Sequence, residues 1–354
     1  MHLGCRGETL AGDQRGMQSS PKVSVIISCY NHESYIEEAI LSAVRQKTDF
    51  PYEIIVGDDC STDGSCDIVE RLCADYDDSL RLIQTEHNMG GRANFLNAFA
   101  ACRGTYVAYL DGDDYWLDDA KLQVQVDLLD ADPKLSMCCH PVYWCNDKGE
   151  IIGRTRNRPR DKSGAIGLRD VVAGNFSPSC SLMFRRALFQ DFPDWMDAYP
   201  GVPGDWVTTM NLARQGGIGY IDSLMAVYRR HDRGAWSNKG DLRRLRALSK
   251  VYSNILPDLD PVCAEVARSS QARLRIRMAA AHARAGRRRQ ARLFLRHAWA
   301  RGWRFPALWR QTLVYILDVH FPGLSRLARD LAAARFKPRR AGERPVLPAQ
   351  NAER

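Results

Sequence analysis

Short runs of β-branched and other apolar residues alternate with segments of helical periodicity in the first third of the chain, and this alternation constrains the fold most. The apolar runs cover residues 23–28, 53–57, 80–84 and 106–110. Between them, residues 36–46, 65–74 and 93–101 carry apolar side chains at helical spacing. Strands that alternate with helices usually pair in parallel beneath those helices. The sequence therefore predicts an α/β fold with a mostly parallel central sheet.

Polar and acidic clusters follow three of these runs, where each predicted strand ends. They are residues 28–31 (SCYN), 58–63 (DDCSTD) and 111–114 (DGDD). In an open α/β sheet, ligands bind at the C-terminal ends of the strands. Carboxylates gathered there repel one another unless a cation or a donor lies between them, and Mg²⁺ or Mn²⁺ that bridges phosphates suits such a site. The clusters predict a cation site for a phosphorylated ligand, with a solvated acidic turn as the alternative.

Four segments, taken in order, carry a family resemblance. They are VSVIISCYNHESYIEEAILSAVRQ, EIIVGDDCSTDGS, HNMGGRANFLNAF and GTYVAYLDGDDYW. These segments are similar to successive motifs of the family 2 glycosyltransferases, the inverting nucleotide-sugar transferases with the GT-A fold, and the resemblance covers about residues 22–237. It implies a catalytic domain at 21–240, with a nucleotide-binding half at 21–115 and an acceptor half at 116–240.

The resemblance also implies a set of residues that contact the nucleotide-sugar donor. Tyr30 would pack near the base, and Asp59 would accept the imide hydrogen of a uracil-type base. Asp111 would contact the ribose or the metal-bound phosphate. The implied donor-binding residues are Ser28, Tyr30, Asp59, Asn88, Gly90, Arg92, Asp111 and Trp236. A helix cap is the alternative role for Asp59.

A divalent cation, Mn²⁺ or Mg²⁺, is the cofactor that the resemblance implies. Asp113 would bind this cation, which bridges the two donor phosphates, and His231 would complete the metal shell. The alternative for His231 is a surface histidine. Asp114 is open between a place at the metal and a cap on the next helix.

The resemblance assigns the general base to a carboxylate that opens a late helix. Asp205 has this position here, although the preceding residue is Gly204 where the family often has Glu. A carboxylate that takes the proton from the acceptor hydroxyl contributes about 10²–10⁴-fold to the rate. An N-cap without a catalytic role is the alternative for Asp205.

Several further residues have an open interpretation. Arg229 and Arg230 could close over the diphosphate or remain solvated. Trp116 and Trp206 could stack on sugar rings or pack in the core. Residues 175–181 (NFSPSCS) are predicted to form a loop on the acceptor side.

Charge divides the chain into an acidic part and a basic part. Residues 1–230 hold 23 Lys and Arg against 33 Asp and Glu, whereas residues 231–354 hold 27 against 9. We predict a disordered leader at 1–20, a helical region at 241–335 that includes a hairpin around Gly286, and a disordered tail at 336–354. The basic part could meet an anionic membrane or simply confer solubility, and no nucleic-acid motif occurs. The absence of a long apolar stretch and of a secretory pattern predicts a cytoplasmic protein, and a peripheral place at the inner membrane face stays open.

Together these observations predict transfer of a sugar from a nucleotide-diphosphate donor, with UDP favoured, to an acceptor hydroxyl. The acceptor is expected in cell-surface polysaccharide, lipopolysaccharide or glycan biosynthesis. Two alternatives stay open. One is a nucleotidyltransferase that makes sugar nucleotides, although the segment SCYNHESY lacks the glycine-rich loop common in that class. The other is a non-catalytic scaffold with a degenerate site.

Overall fold

The computed structural model describes residues 20–76, 79–155, 166–190, 193–196, 202–234, 236 and 240–302. These residues form two compact units, which divide at residues 194–203 and 238–239. The first unit contains both β-sheets, and the second contains helices from residue 241 onward.

Among the described residues, seven strands form the large sheet of the first unit. In spatial order they are β10 (Gly217–Tyr220), β6 (Leu135–Cys139), β9 (Met183–Arg185), β4 (Tyr106–Asp111), β1 (Val23–Cys29), β2 (Tyr52–Asp58) and β3 (Leu80–Gln84). All pairs are parallel except the two made by β9, which is antiparallel to β4 and β6. The predicted mostly parallel sheet is confirmed, and the short β9 is the departure from it.

Helices cover this sheet because their apolar side chains recur at helical spacing. Those of the first unit are α1 (Ile36–Val44), α2 (Ser65–Asp75), α3 (Gly91–Ala100), α4 (Lys121–Ala131), α5 (Leu168–Ala173) and α6 (Gly204–Ala213). In α1, the side chains of Ile36, Ala39, Ile40 and Ala43 are fully buried against the sheet. A smaller sheet in the described part of this unit has the strand order β5 (Tyr115–Trp116), β11 (Ala226–Arg229), β7 (Tyr143–Cys145) and β8 (Ile151–Arg154).

The strand order places the predicted clusters next to one another. The central strand β1 lies between β2 and β4 and is parallel to both. Ser28 is in register with Gly57 on one side and with Asp111 on the other, while Cys29 is in register with Asp58. The residues that follow these three strands therefore meet at one edge of the sheet.

The second unit is helical over its described residues from 241 to 302, as the sequence predicts for the C-terminal region. Its helices are α7 (Asp241–Ile255), α8 (Pro261–Arg284) and α9 (Arg288–Gly302). Asp260 caps α8 by accepting the N–H groups of Val262 and Cys263, and Gly286 makes the turn to α9 with a φ of +73°. Residues 1–19 of the predicted leader at 1–20, residues 303–335 of the predicted helical region and the predicted tail at 336–354 lie outside the described residues. In the described ranges, no helix has both the length and the hydropathy that a bilayer span requires.

Candidate active site

The turns after β1 and β2 hold each other at the sheet edge. The Asn31 N–H donates to the Ser61 hydroxyl over 2.9 Å, and the Thr62 N–H donates to the Asn31 side-chain oxygen over 2.8 Å. Asn31 and Cys60 have positive φ angles of 55° and 59°, a conformation uncommon outside glycine. Such backbone persists only where its surroundings fix it. Tyr30 in this region is 43% exposed, and its contact with a base stays a prediction.

Two neighbouring carboxylates support loops at this edge. Asp58 accepts the backbone N–H and the hydroxyl of Ser61, which closes the turn after β2. The two oxygens of buried Asp59 accept the N–H groups of Met89 at 2.7 Å and Gly90 at 2.8 Å. Gly90 has a φ of +87°, which glycine adopts without strain. Asp59 thus shapes the loop before α3, and its contact with a base stays a prediction.

The remaining donor candidates lie on three different segments. Ser28 is the second-last residue of β1, beside Asp111 of β4. Asn88 is exposed in the loop before α3, and Arg92 is half-buried in the first turn of that helix. Trp236 is partly buried, but its neighbours in sequence lie outside the described residues. The structure therefore brings Ser28 and Asp111 together and leaves the other contacts as predictions.

Asp111 ends β4, and two hydroxyl groups hold its carboxylate. Its oxygens accept the Tyr109 hydroxyl at 2.8 Å and the Ser179 hydroxyl at 2.6 Å. Burial, together with the charge of Asp113, raises the pKa of Asp111. Ser179 belongs to the predicted acceptor-side loop, so that loop reaches the acidic cluster.

Asp113 forms the closest acid–imidazole contact of the site. Its Oδ2 lies 2.8 Å from Nε2 of His231, and the two side chains are 15% and 3% exposed. Burial is the largest single influence and opposes ionisation of Asp113, but the hydrogen bond from His231 and the charges of His32 and His231 together hold the pKa of Asp113 below its usual value. The Tyr35 ring packs against His231 with a centroid distance of 5.1 Å. His231 is thus a buried site residue and not a surface histidine.

Gly112 allows a close approach between the acidic turn and the turn after β1. Its N–H donates to the Ser28 carbonyl over 2.8 Å. A Cβ atom at this position would lie 2.7 Å from Nδ1 of His32 and 3.0 Å from that carbonyl. The positive charge of a protonated His32 would favour ionisation of both Asp111 and Asp113. His32 therefore belongs to the site, although the sequence analysis did not select it.

Asp114 has a structural role that differs from both sequence interpretations. It is buried, and its Oδ1 accepts the backbone N–H of Arg229 over 2.8 Å. Burial and the charges of Asp113 and Asp111 raise the pKa of Asp114 well above its usual value. Asp114 therefore ties the end of β4 to β11 and does not cap a helix.

Asp205 is in the first turn of α6, as the sequence predicts. Its Oδ1 accepts the Trp206 N–H at 2.7 Å, and its Oδ2 accepts the Asn175 side-chain amide at 3.1 Å. Burial raises the pKa of Asp205 to about 6, the Asn175 and Trp206 hydrogen bonds oppose this rise, and the charge of Asp111 adds to it. A carboxylate with a pKa just below neutrality is suited to accept a proton at neutral pH.

Tyr228 on β11 interacts electrostatically with both the acidic cluster after β4 and the carboxylate of α6. Burial is the main cause that raises its pKa, and four carboxylates raise it further. These four are Asp114, Asp111, Asp113 and Asp205. The acidic cluster and the carboxylate of α6 are thus both close enough to Tyr228 for their charges to act on it. The loop that contains Asn175 and Ser179 also bonds to both, because Asn175 donates to Asp205 and Ser179 donates to Asp111.

The side chains present fit a divalent cation that is completed by a ligand. The Asp113 carboxylate and the His231 imidazole, in contact with each other, are suitable ligands for Mn²⁺. In the described ranges, no three His, Cys, Asp or Glu side chains converge to hold a metal on their own. Mg²⁺-type sites that use one or two carboxylates take their other ligands from phosphates and water. Any cation here would therefore require the donor diphosphate as a partner.

The first comparison is with models of protein families. Residues 24–191 match the model described as glycosyl transferase family 2. Residues 24–191 of the chain therefore contain a glycosyltransferase family 2 region. The matched residues include every motif after β1, β2 and β4, so the resemblance seen in the sequence is confirmed.

Relatives and solved structures agree with this family. The uncharacterized protein Rv1520 of Mycobacterium tuberculosis is 35% identical over 223 residues, which cover 63% of this chain and 62% of that protein. A crystal structure of Staphylococcus aureus TarS 1-349 in complex with UDP-GlcNAc has a TM-score of 0.60 at 20% identity and covers 87% of this chain and 92% of that one. The mannosyltransferase PcManGT from Pyrobaculum calidifontis, in complex with GDP-Man and Mn²⁺, has a TM-score of 0.57 at 22% identity, with 91% and 82% covered.

The solved structures confirm the GT-A fold. The chain spans less than two thirds of the length of the relative Rv1520. The identity to both solved structures is low, so their likeness establishes the architecture and not the ligands.

The structure decides between the alternative roles of Trp116, Trp206 and Arg229. Trp116 and Trp206 are each 1% exposed, and their indole N–H groups donate to the carbonyls of Cys180 and Val171. Both tryptophans therefore pack in the core and do not stack on a sugar. Arg229 is also buried: it pairs with Glu38 and donates to the Asp113 carbonyl. Its role is to hold the acidic turn.

Tyr228 and Asn175 are site residues that the sequence analysis did not select individually. Nothing in the sequence shows that the Tyr228 side chain faces the carboxylates, because short β11 has no clear alternation. Asn175 was included only as part of a loop. The available sequence signal for Asn175 and Ser179 was that both belong to a polar loop that precedes a short strand.

Proposed function

We propose that this chain is an inverting glycosyltransferase that moves a sugar from a nucleoside-diphosphate donor, with UDP favoured, to an acceptor hydroxyl. The observation that carries the proposal is that one loop bonds to both Asp111 and Asp205, through Ser179 and Asn175. Asp111 lies beside Asp113 and its partner His231, which are suited to hold a cation with a diphosphate, and Asp205 is a carboxylate suited to accept a proton. The acceptor belongs to a cell-surface polysaccharide, lipopolysaccharide or glycan.

In the proposed reaction, Asp205 acts on the acceptor, whereas Asp113 and His231 act on the donor. The acceptor oxygen attacks the anomeric carbon, the bond from that carbon to the phosphate oxygen breaks, and the acceptor proton passes to Asp205. Asp113 and His231 would hold the cation, and Asp111 would orient the ribose or the phosphate. When bound, the cation acts as a Lewis acid that stabilises the departing diphosphate. Attack from the face opposite the leaving group inverts the anomeric configuration.

Three observations support the proposal that the site binds a nucleotide-sugar donor. Tyr30 presents its ring at the edge where the base would lie. Asp59 fixes the loop that carries Asn88, Gly90 and Arg92 through two backbone hydrogen bonds. TarS, whose solved structure shares this fold, binds UDP-GlcNAc, which makes a UDP-sugar the first donor to test.

A thermal-shift panel identifies the donor. UDP-GlcNAc, UDP-glucose and GDP-mannose are each added with Mn²⁺ and with a chelator. A ligand at about 100 times its Kd stabilises the folded state by about 2.7 kcal/mol, which raises Tm by several degrees. We expect a UDP-sugar with Mn²⁺ to give the largest rise and the chelator to reduce it. The absence of a shift with every donor would contradict nucleotide-sugar binding.

We also propose that the second unit contacts an anionic membrane surface, which would place the enzyme at the inner face of the cytoplasmic membrane. Its helices expose many arginines: Arg243, Arg246, Arg268, Arg273, Arg277, Arg284, Arg287, Arg288, Arg289, Arg292 and Arg296. Residues 240–302 contain four carboxylates, and one of these, Asp241, pairs with Arg244. A basic surface of this kind is attracted to anionic lipid.

Vesicle sedimentation tests the membrane proposal. We expect binding to phosphatidylcholine vesicles only when phosphatidylglycerol is included, with a decrease at high salt. The triple substitution Arg288→Gln, Arg292→Gln and Arg296→Gln should weaken binding about 100-fold, at about 1 kcal/mol per charge. The matched triple substitution to Lys keeps the charge and should retain binding. Equal binding to neutral vesicles would contradict the proposal.

A further inference from the structure

A hydrogen-bond network reaches Asp205 from the loop that precedes β9. The Asn175 Nδ2 atom donates to Oδ2 of Asp205 over 3.1 Å. On its other side, Oδ1 of Asn175 accepts the Ser177 backbone N–H at 3.1 Å, with the Ser177 hydroxyl at 3.2 Å. One amide therefore links the loop backbone directly to the carboxylate.

A second connection joins the same loop to the backbone of Asp205. The Thr209 hydroxyl donates to the Asp205 carbonyl over 2.8 Å and lies 2.9 Å from the Ser177 hydroxyl. The side chains of Ser177 and Thr209 are within the buried interior. The network starts at the Asp205 carbonyl, passes through Thr209, Ser177 and Asn175, and returns to the Asp205 side chain.

The direction of the Asn175 amide follows from this chemistry. A backbone N–H can only donate a hydrogen bond, so the group that faces the Ser177 N–H must be the Asn175 oxygen. The Asn175 NH₂ group must then face Asp205. The opposite orientation would place two donors together at Ser177 and two acceptors together at Asp205.

We propose that Asn175 is a positioning residue that aims the Asp205 carboxylate and favours its ionised form, with Ser177 and Thr209 fixing its orientation. This inference rests on the proposed role of Asp205 as the base. A donor that bonds to a carboxylate stabilises the charged form and lowers the pKa.

Other groups near Asp205 act in both directions. The Trp206 N–H on α6 also favours the carboxylate, whereas the charge of Asp111 on β4 opposes it. Tyr228 on β11 is also close enough to Asp205 for the charge of that carboxylate to raise the pKa of the phenol. Asn175 is thus the side-chain donor among these groups that directly bonds to the reactive carboxylate.

The test measures the titration of Asp205 directly, without a donor or an acceptor. The protein is labelled with ¹³C at its aspartate carboxyls, and the Asp205 signal is assigned from its loss in Asp205→Asn. We expect Asn175→Leu, which removes the amide, to move the titration upward by about one pH unit. Asn175→Asp keeps the shape but replaces the donor with a second carboxyl, and it should move the titration further. Because this variant is nearly isosteric, it decides the test if Asn175→Leu does not fold.

Ser177→Ala is the matched control. It removes the hydroxyl but keeps the backbone N–H that sets the amide direction, so we expect a smaller shift than in Asn175→Leu. The acid limb of the pH–rate profile for UDP-GlcNAc hydrolysis should move in the same order as the titrations. An unchanged Asp205 titration in both Asn175 variants would overturn the inference. If the titrations move but Asp205→Asn still turns over, the proposed base is wrong and the positioning role stands.

Discussion

Replacing Asp205 with asparagine should lower turnover by about 10²–10⁴-fold and leave donor binding unchanged. The amide cannot take the acceptor proton, yet it occupies almost the same volume at the start of α6. Donor contacts are proposed on other segments, at β1, β4 and the loop before α3. The loss should therefore appear in kcat and not in the Kd of the nucleotide sugar.

The measurement is the initial rate of nucleotide release from the donor that the thermal-shift panel selects, together with calorimetry of donor binding. Asp127→Asn is the matched control, because this exposed carboxyl accepts only a Gln123 side-chain hydrogen bond on α4. In the wild-type protein, the rate should fall below a pH near 6, where Asp205 becomes protonated. An Asp205→Asn enzyme with the wild-type rate would show that another group acts as the base.

Replacing Asp113 with asparagine should abolish both metal-dependent donor binding and transfer. The change removes the negative charge that would bind the cation, and an amide is a weaker ligand for Mn²⁺. It also removes the charged partner of His231 at 2.8 Å. Loss of several kcal/mol of charge stabilisation at the departing diphosphate corresponds to a rate reduction of about 10³-fold or more.

The measurement is donor affinity as a function of Mn²⁺ concentration. Wild-type protein should bind the nucleotide sugar more tightly as Mn²⁺ rises, whereas Asp113→Asn should bind weakly at every concentration. Wild-type protein in a chelator should resemble the variant, and thermal unfolding without ligand reports whether the variant is folded. A Mn²⁺ response equal to that of the wild type would rule out Asp113 as the metal ligand.

The sheet and its functional edge could be predicted because they depend on local patterns. Buried strands such as β1 and β2 read as uninterrupted apolar runs, and parallel strands bring their polar ends to one edge. The antiparallel pairing of β9 could not be predicted in this way. This strand has three residues, and its pairing with β4 and β6 depends on contacts across the sheet and not on periodicity.

The site divides in the same way. Asp111, Asp113 and Asp205 were selected by strand ends, a helix start and family resemblance. The burial of Trp116 and Trp206 could not be predicted, because it depends on carbonyl acceptors far away in sequence. The orientation of the Asn175 amide likewise depends on the backbone of Ser177 and on α6, which only the folded chain brings together.

Calorimetry on Asp113→Asn and Asp205→Asn, side by side with the donor and Mn²⁺, tests the central claim most directly. The claim is that one site contains two carboxylates with separate roles: Asp113 helps to bind the donor diphosphate through a cation, and Asp205 accepts the acceptor proton. We predict that Asp113→Asn loses Mn²⁺-dependent donor binding, while Asp205→Asn binds the donor as the wild type does and yet fails to release nucleotide. Equal donor binding by both variants, or turnover in Asp205→Asn, would contradict this division of roles.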